Sequence, residues 1–325
     1  MKNYFSINKL NKFFFTKEFI LFFVLVFVFL INTNISPYFL DLINLIDSTF
    51  LFSEKAIIAL IMTLIIISRQ IDLSVASIIA ISACIFGYFN SLGFPVFLTI
   101  SLTLICGLLC GAFNGFLITF YGIPSIIVTI GTMSLFRGIS YVILEDQYFS
   151  NFPNIILELG NGYFLNILPY SFVFFLFLVI LFYIYLHKSY FGKEIFLIGN
   201  NPEAARFSGI KVDRYTFILF SLSGLFSSIA AIFLSGRLSS VRPNIAIGWE
   251  LEIITMVVFG GVYIYGGYGS IIGVFLSILI LGMVSFGLSL LNVPGVGIII
   301  FTGFLLILTV SITSFIKKFY QNRIR

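Results

Sequence analysis

A chain of 325 residues that is 60% hydrophobic and 10% charged, with a mean hydropathy of +1.13, cannot hide its apolar surface in one aqueous core. Soluble domains average about 45–50% apolar and about 25% charged residues, so soluble enzyme, nucleic-acid binder, disordered regulator and disulfide scaffold are excluded as classes. The net charge of +5 then reads as basic loops beside a membrane.

Lys2, Lys9, Lys12 and Lys17 precede the first apolar run. They look like the charged start of a signal peptide, but no small-residue cleavage pattern follows, and the run reads as an uncleaved first helix. A spanning helix takes about 20 mostly apolar residues, and by that measure the chain offers about ten. They are 19–36, 50–68, 73–90, 95–119, 124–144, 163–187, 215–236, 251–266, 270–291 and 296–316, with eight as the alternative count. The eighth run is short and ends at Gly260-Gly261, as a broken or re-entrant piece would; Arg69, Gln70 and Asp72 interrupt the polypeptide between the second and third. The expected fold is an all-α polytopic membrane protein: a tail over 1–18, one transmembrane domain over 19–316, and a tail over 317–325.

Basic residues orient it. With the N-terminus in the cytoplasm and alternating spans, that side collects Lys2, Lys9, Lys12, Lys17, Arg69, Lys188, Lys193, Arg206, Lys211, Arg214, Lys317, Lys318, Arg323 and Arg325. Only Lys55, Arg237 and Arg242 fall outside, and Arg137 falls within a span. The positive-inside bias places both termini in the cytoplasm. The polar segment 145–162 is then external and the long segment 188–214 internal. Gly111 to Gly115 leading to Pro124, and Gly282 to Gly287 leading to Pro294, echo one another in opposite directions. An inverted repeat would do this; chance matching of Gly and Pro in apolar sequence would too.

Ionisable groups within a bilayer are costly and need a reason. Asp72 either caps the helix that follows, with Arg69 paired locally, or forms a polar break along a transport path with Ser74. Arg137 lies among Thr129, Gly131, Thr132 and Ser134, small and hydroxyl residues that favour close helix approach. It either reaches backbone carbonyls or lines the path. Asn114, Thr129 and Thr132 supply amide and hydroxyl groups suited to a neutral hydroxylated solute. Arg237 and Arg242 break the charge rule on the outer side; pairing with Glu250 or Glu252, docking of an acidic soluble partner and a substrate vestibule are the three readings. The cysteines Cys84, Cys106 and Cys110 lie in apolar runs and, with one histidine, His187, offer no metal set. The chain has no Gly-rich phosphate loop with its Lys, and the glycines of 260–269 suit a tight helix break or close packing.

Five segments in order resemble a known family. Ser68 to Ser77, with Ile71-Asp72-Leu73-Ser74, is similar to the Gly-Gly-Ile-Asp-Leu-Ser element of ABC-type sugar permeases, the importers of ribose, rhamnose, arabinose, galactose and autoinducer-2. Asn114-Gly115 with Ile123 to Met133 and Arg137-Gly138 resembles the next signature, and Phe191 to Ile210 resembles the cytoplasmic loop. Arg237 to Pro243 with Gly248-Trp249-Glu250, then Val258 to Gly273, complete the set. Gln70 and Ala76 depart from the pattern; the region around Ile264 resembles the autoinducer-2 branch and the 69–77 run the rhamnose branch.

The resemblance implies a bacterial inner-membrane permease subunit that binds no cofactor itself. A periplasmic binding protein delivers a sugar or sugar-like solute, a second permease subunit completes the path, and a cytoplasmic ABC ATPase holding ATP and Mg drives it. The segment 188–214 becomes the coupling loop, with Gly192, Gly199, Asn200, Glu203, Ala204, Ala205, Arg206 and Gly209 at the contact. Within it, Asn200 or Asn201 caps a short helix with Pro202 at its first position. Asp72, Ser74, Asn114, Thr129, Thr132 and Arg137 become pathway residues, and Arg237, Arg242 and Glu250 the outer face. An ion-coupled secondary transporter of a small neutral solute, and a subunit of a membrane enzyme complex, are the competing readings. The first needs buried acids at mid-membrane and the second redox ligands or proton-relay chains.

Overall fold

The computed structural model describes residues 17–145 and 147–324, with side chains described as far as Ser311. Lys2, Lys9, Lys12, Asp146 and Arg325 lie outside the described residues, as do the side chains of Lys317, Lys318 and Arg323. The helices are α1 (Lys17–Ile35), α2 (Leu42–Asp47), α3 (Ser53–Ile67), α4 (Val75–Ser91), α5 (Val96–Tyr121), α6 (Ser125–Leu144) and α7 (Asn154–Asn161). They continue as α8 (Tyr170–Lys188), α9 (Tyr190–Asn200), α10 (Pro202–Phe207), α11 (Val212–Leu238), α12 (Trp249–Phe259), α13 (Ile271–Leu290) and α14 (Gly295–Ile324). Strand β1 (Phe149–Ser150) pairs antiparallel with β4 (Ser240–Val241), and β2 (Tyr163–Phe164) with β3 (Leu168–Pro169).

Each apolar run contains a helix, and the chain is an all-α polytopic membrane protein. Length and composition alone give fewer spans: α1, α5, α6, α8, α11 and α13 are long and apolar enough to cross. The segment Leu42–Leu51 joins α3 at a bend of 52°, and α4 and Gly295–Ser311 are shorter apolar helices. Two runs are trimmed. The sixth begins at Tyr170, because 163–169 forms the β2–β3 hairpin. The eighth ends at Phe259, where Gly261, Gly266 and Gly267 take positive φ and turn the chain.

Helix α11 is the axis, in contact with α3, α4, α5 and α7. Its tightest neighbour is α5, where Gly107 and Gly111 face Gly224; a Cβ on Gly111 would overlap the Phe220 carbonyl oxygen. Two backbones at that distance gain dispersion contacts that larger side chains would prevent. Helix α3 is enclosed along most of its length: Ala56 to Ile67 are buried, whereas α1 and α5 show Phe23, Phe27, Phe97 and Phe120 outward. Apolar side chains suit both settings, since lipid and protein core are alike to them.

Candidate functional site

Polar chemistry gathers in three places: a buried knot at 72–74, an ion-paired end near Glu54, and the loop 188–214.

The knot lies in the break between α3 and α4. Asp72 is fully buried. Its Oδ1 accepts from the Ser74 backbone N–H at 2.9 Å and the Ser74 hydroxyl at 2.6 Å, and its Oδ2 accepts from the Ser223 hydroxyl at 2.7 Å. Ser74 Oγ accepts in turn from Asn114 Nδ2 at 2.8 Å, and Ile71 N–H donates to Ser125 Oγ at 3.2 Å. One acid thus ties the start of α4 to α11, and through Ser74 to α5. It is not the cap of α4: Ser74 holds that position without a side-chain cap bond, and Asp72, two residues earlier, accepts from the cap residue itself. Arg69 is not its partner: it is exposed at φ 68°, with no ion pair among the described residues. Asn114 Oδ1 is buried without a partner.

Arg137 on α6 donates from Nη1 to the carbonyls of Pro243 and Ile245, each at 2.7 Å, and from Nη2 to that of Ala76 at 3.1 Å. It fastens the 243–245 turn to the first turn of α4. Thr129 and Thr132 are buried on the same helix and donate to their own backbone, Thr129 to the Ser125 carbonyl at 2.8 Å.

At the far end, Arg237 pairs through Nε with Glu54 Oε1 at 2.6 Å, and Lys55 pairs with Glu252 while lying 4.8 Å from the Trp249 ring centroid. Of the three readings of Arg237, pairing with Glu250 or Glu252 is not what the fold makes: its partner is Glu54. Neighbouring residues at the start of α3 hold the end of α11 and the start of α12, a choice set by tertiary packing. Glu54 is 1% exposed, and its Oε2 has no partner. Arg242 is exposed over the Tyr148 ring at 5.6 Å, beside a polar cleft of about 370 Å³ that includes Tyr141 and Glu145. Glu250 is half-buried.

The loop 188–214 folds as two short helices. Asn201, not Asn200, caps α10: its Oδ1 accepts from the N–H groups of Glu203 and Ala204, both at 3.1 Å, with Pro202 at the first position. Asn200 donates back to the Phe196 carbonyl at 2.9 Å. Ala205 is buried against Ile198 and Val212, while Glu203, Ala204 and Arg206 are exposed. Arg206 meets Asp213 at 2.5 Å. Gly209 turns the chain at φ 86° into α11. Gly192 and Gly199 are buried where backbones meet: a Cβ on Gly192 would overlap the Leu186 carbonyl oxygen, and one on Gly199 the Ile67 carbonyl oxygen. Gly267 N–H also donates to that Ile67 oxygen, at 2.8 Å. The loop therefore abuts the end of α3, five residues before Asp72. Sequence reasoning passed over Phe207, which is 94% exposed at the tip of α10. Phe is so common in this chain, 42 residues, that one more gave no signal.

Residues 44–310 match the family described as branched-chain amino acid transport system / permease component. Among curated proteins, the chain is 36% identical over 282 residues to the autoinducer 2 import system permease protein LsrD of Photorhabdus laumondii, covering 85% of this chain and 84% of that one. The LsrD proteins of Yersinia enterocolitica, at 36% identity, and Klebsiella pneumoniae, at 35%, are covered to 83% and 80%, as is this chain by each. No solved structure matches. With the match spanning most of the chain and the apolar helices that carry it, this protein belongs to the family of membrane-embedded permease components of transport systems.

Proposed function

We propose that this chain is one transmembrane subunit of an ATP-driven importer for a small, neutral, hydroxylated solute of the sugar or autoinducer-2 class. The LsrD relatives support the solute class by their names. The bias of basic residues supports about ten spans, with both tails cytoplasmic in a bacterial inner membrane. A periplasmic binding protein delivers the solute near Arg242 and Glu250, and a second permease subunit completes the path. The chain binds no cofactor; ATP and Mg belong to a separate cassette ATPase.

The observation that carries this reading is α10. It is a capped, short helix held to the bundle through Ala205, and it presents Glu203, Ala204, Arg206 and Phe207 to solvent. A rigid projection with an unburied aromatic is what a partner's groove receives. Its base, through Gly199, rests on the end of α3, so a push on α10 reaches the 68–74 break and the Asp72 knot. Asp72, Ser74, Asn114, Thr129, Thr132 and Arg137 then hold the path-lining helices in register. An ion-coupled transporter would need an acid free to exchange its ion; Asp72 accepts from serines through both oxygens and Glu54 is paired with Arg237.

Co-purification of the tagged chain in mild detergent tests the proposal. Recovery of a cassette ATPase and a soluble solute-binding protein is expected. Recovery of the chain alone, under conditions that preserve other such complexes, would contradict it.

A further inference from the structure

Beside α10, and separate from its exposed tip, an open cleft of about 610 Å³ lies between the end of α8, the start of α9 and the start of α11. Part of the lining is apolar: Tyr185 and Phe191 stack at 5.9 Å with planes 9° apart, and Ile218, 42% exposed, lines the cleft with them. The lip is basic. Lys211 and Arg214 line it, both exposed, and neither has an ion pair among the described residues. The nearby Arg206 and Asp213 satisfy each other. Glu194, which accepts from the Tyr215 hydroxyl, is the acid of the cleft, and two cations against one carboxylate leave its lining net positive. The cleft lies where α8 ends and α11 begins, two helices long and apolar enough to cross a membrane.

We infer that this cleft binds an anionic phospholipid, with its phosphate on Lys211 and Arg214 and an acyl chain along Phe191 and Ile218. The combination is specific to that chemistry. A soluble anion has no use for the apolar wall, and a zwitterionic lipid gains less from two unpaired cations. Basic pockets between spanning helices at the membrane surface bind anionic headgroups. The inference rests on the proposed topology only for the leaflet, which the basic residues make the cytoplasmic one. A lipid seated here packs on α9 and α11 together and steadies the base from which α10 projects.

The test needs neither ATPase nor solute, so its failure is distinct from failure of the importer reading. The full chain, purified in detergent, is titrated with phosphatidylglycerol, and bound lipid is counted by native mass spectrometry. Lys211→Gln with Arg214→Gln is expected to weaken retention about tenfold or more, through the loss of two charge-assisted contacts to the phosphate. Lys188→Gln with Lys193→Gln removes two neighbouring exposed cations that do not line the cleft, and is expected to leave retention unchanged. Equal loss in both double variants, or loss in neither, would overturn the site. Equal retention of phosphatidylethanolamine would overturn its preference for anionic lipid, and displacement by glycerol phosphate as effective as by lipid would overturn the role of the apolar wall.

Discussion

The break at 68–74 and the loop at 188–214 use much the same side chains, Asp, Ser, Asn and Arg, to opposite ends. In the break, carboxylate, hydroxyls and amide turn on one another, with only Asn114 Oδ1 left over, and Asp72, Ser74, Asn114 and Ser223 are all fully buried. In the loop, Asn201 serves its own helix end, and Glu203, Arg206 and Phe207 face water. A buried polar network is stable only when its members satisfy each other, so the first arrangement is a joint that holds helices together. The second leaves its chemistry available, as a contact surface must. Gly199 connects the two, because its missing side chain lets α9 rest on the carbonyl that ends α3.

Substitutions should separate joint from surface, and their effects should fall in that order. Asp72→Ala strands the two serine hydroxyls and the Ser74 N–H, and is expected to cost on the order of 4 kcal/mol. The chain should fail to accumulate in membranes; a wild-type level of folded protein by detergent size-exclusion would show that the knot is not a joint. Arg237→Ala leaves the Glu54 carboxylate buried and unpaired, a loss of about 3 kcal/mol at the lower end for such pairs because Arg237 keeps some exposure. Adding Glu54→Gln should recover part of the lost thermal stability, since it removes the stranded charge.

Gly199→Ala sharpens the link between the regions. A Cβ there must push α9 off the Ile67 carbonyl, at about 2 kcal/mol. Protein should still accumulate while uptake falls, and intact uptake would break the mechanical connection. Asn201→Ala removes the cap of α10 for about 1 kcal/mol, and is expected to lower affinity for the ATPase with little change in melting. Arg206→Ala breaks an ion pair whose side chains are each 57% exposed, and should change stability by less than about 0.5 kcal/mol. Any large effect of that variant belongs to partner contact, measured as ATPase binding.

The helices were legible because a spanning run needs only length and hydropathy, and α5, α6 and α13 fall close to their expected bounds. The cap of α10 was legible to within two neighbours, Asn200 or Asn201, since Asn-Pro-Glu carries its own local chemistry. Pairings across the fold were not. Arg237 reaches Glu54, far away in sequence, instead of the nearby Glu250 or Glu252, because α3 threads between α11 and α12. The enclosure of α3 was hidden as well: Ile57 to Ile67 would suit lipid equally, so hydropathy does not tell an enclosed helix from a lipid-facing one. Arg137 was open between packing and path, and its three carbonyl partners come from segments that only the fold brings together.

The most direct measurement of the account is solute uptake into proteoliposomes holding this chain with its co-purified partners, with ATP hydrolysis followed in the same vesicles. Wild type should take up solute only with the cassette ATPase and ATP, and Glu203→Lys, which reverses the charge on the exposed face of α10, should hydrolyse ATP without matching uptake. Uptake by the chain alone under an ion gradient, or coupling undisturbed by Glu203→Lys, would contradict it.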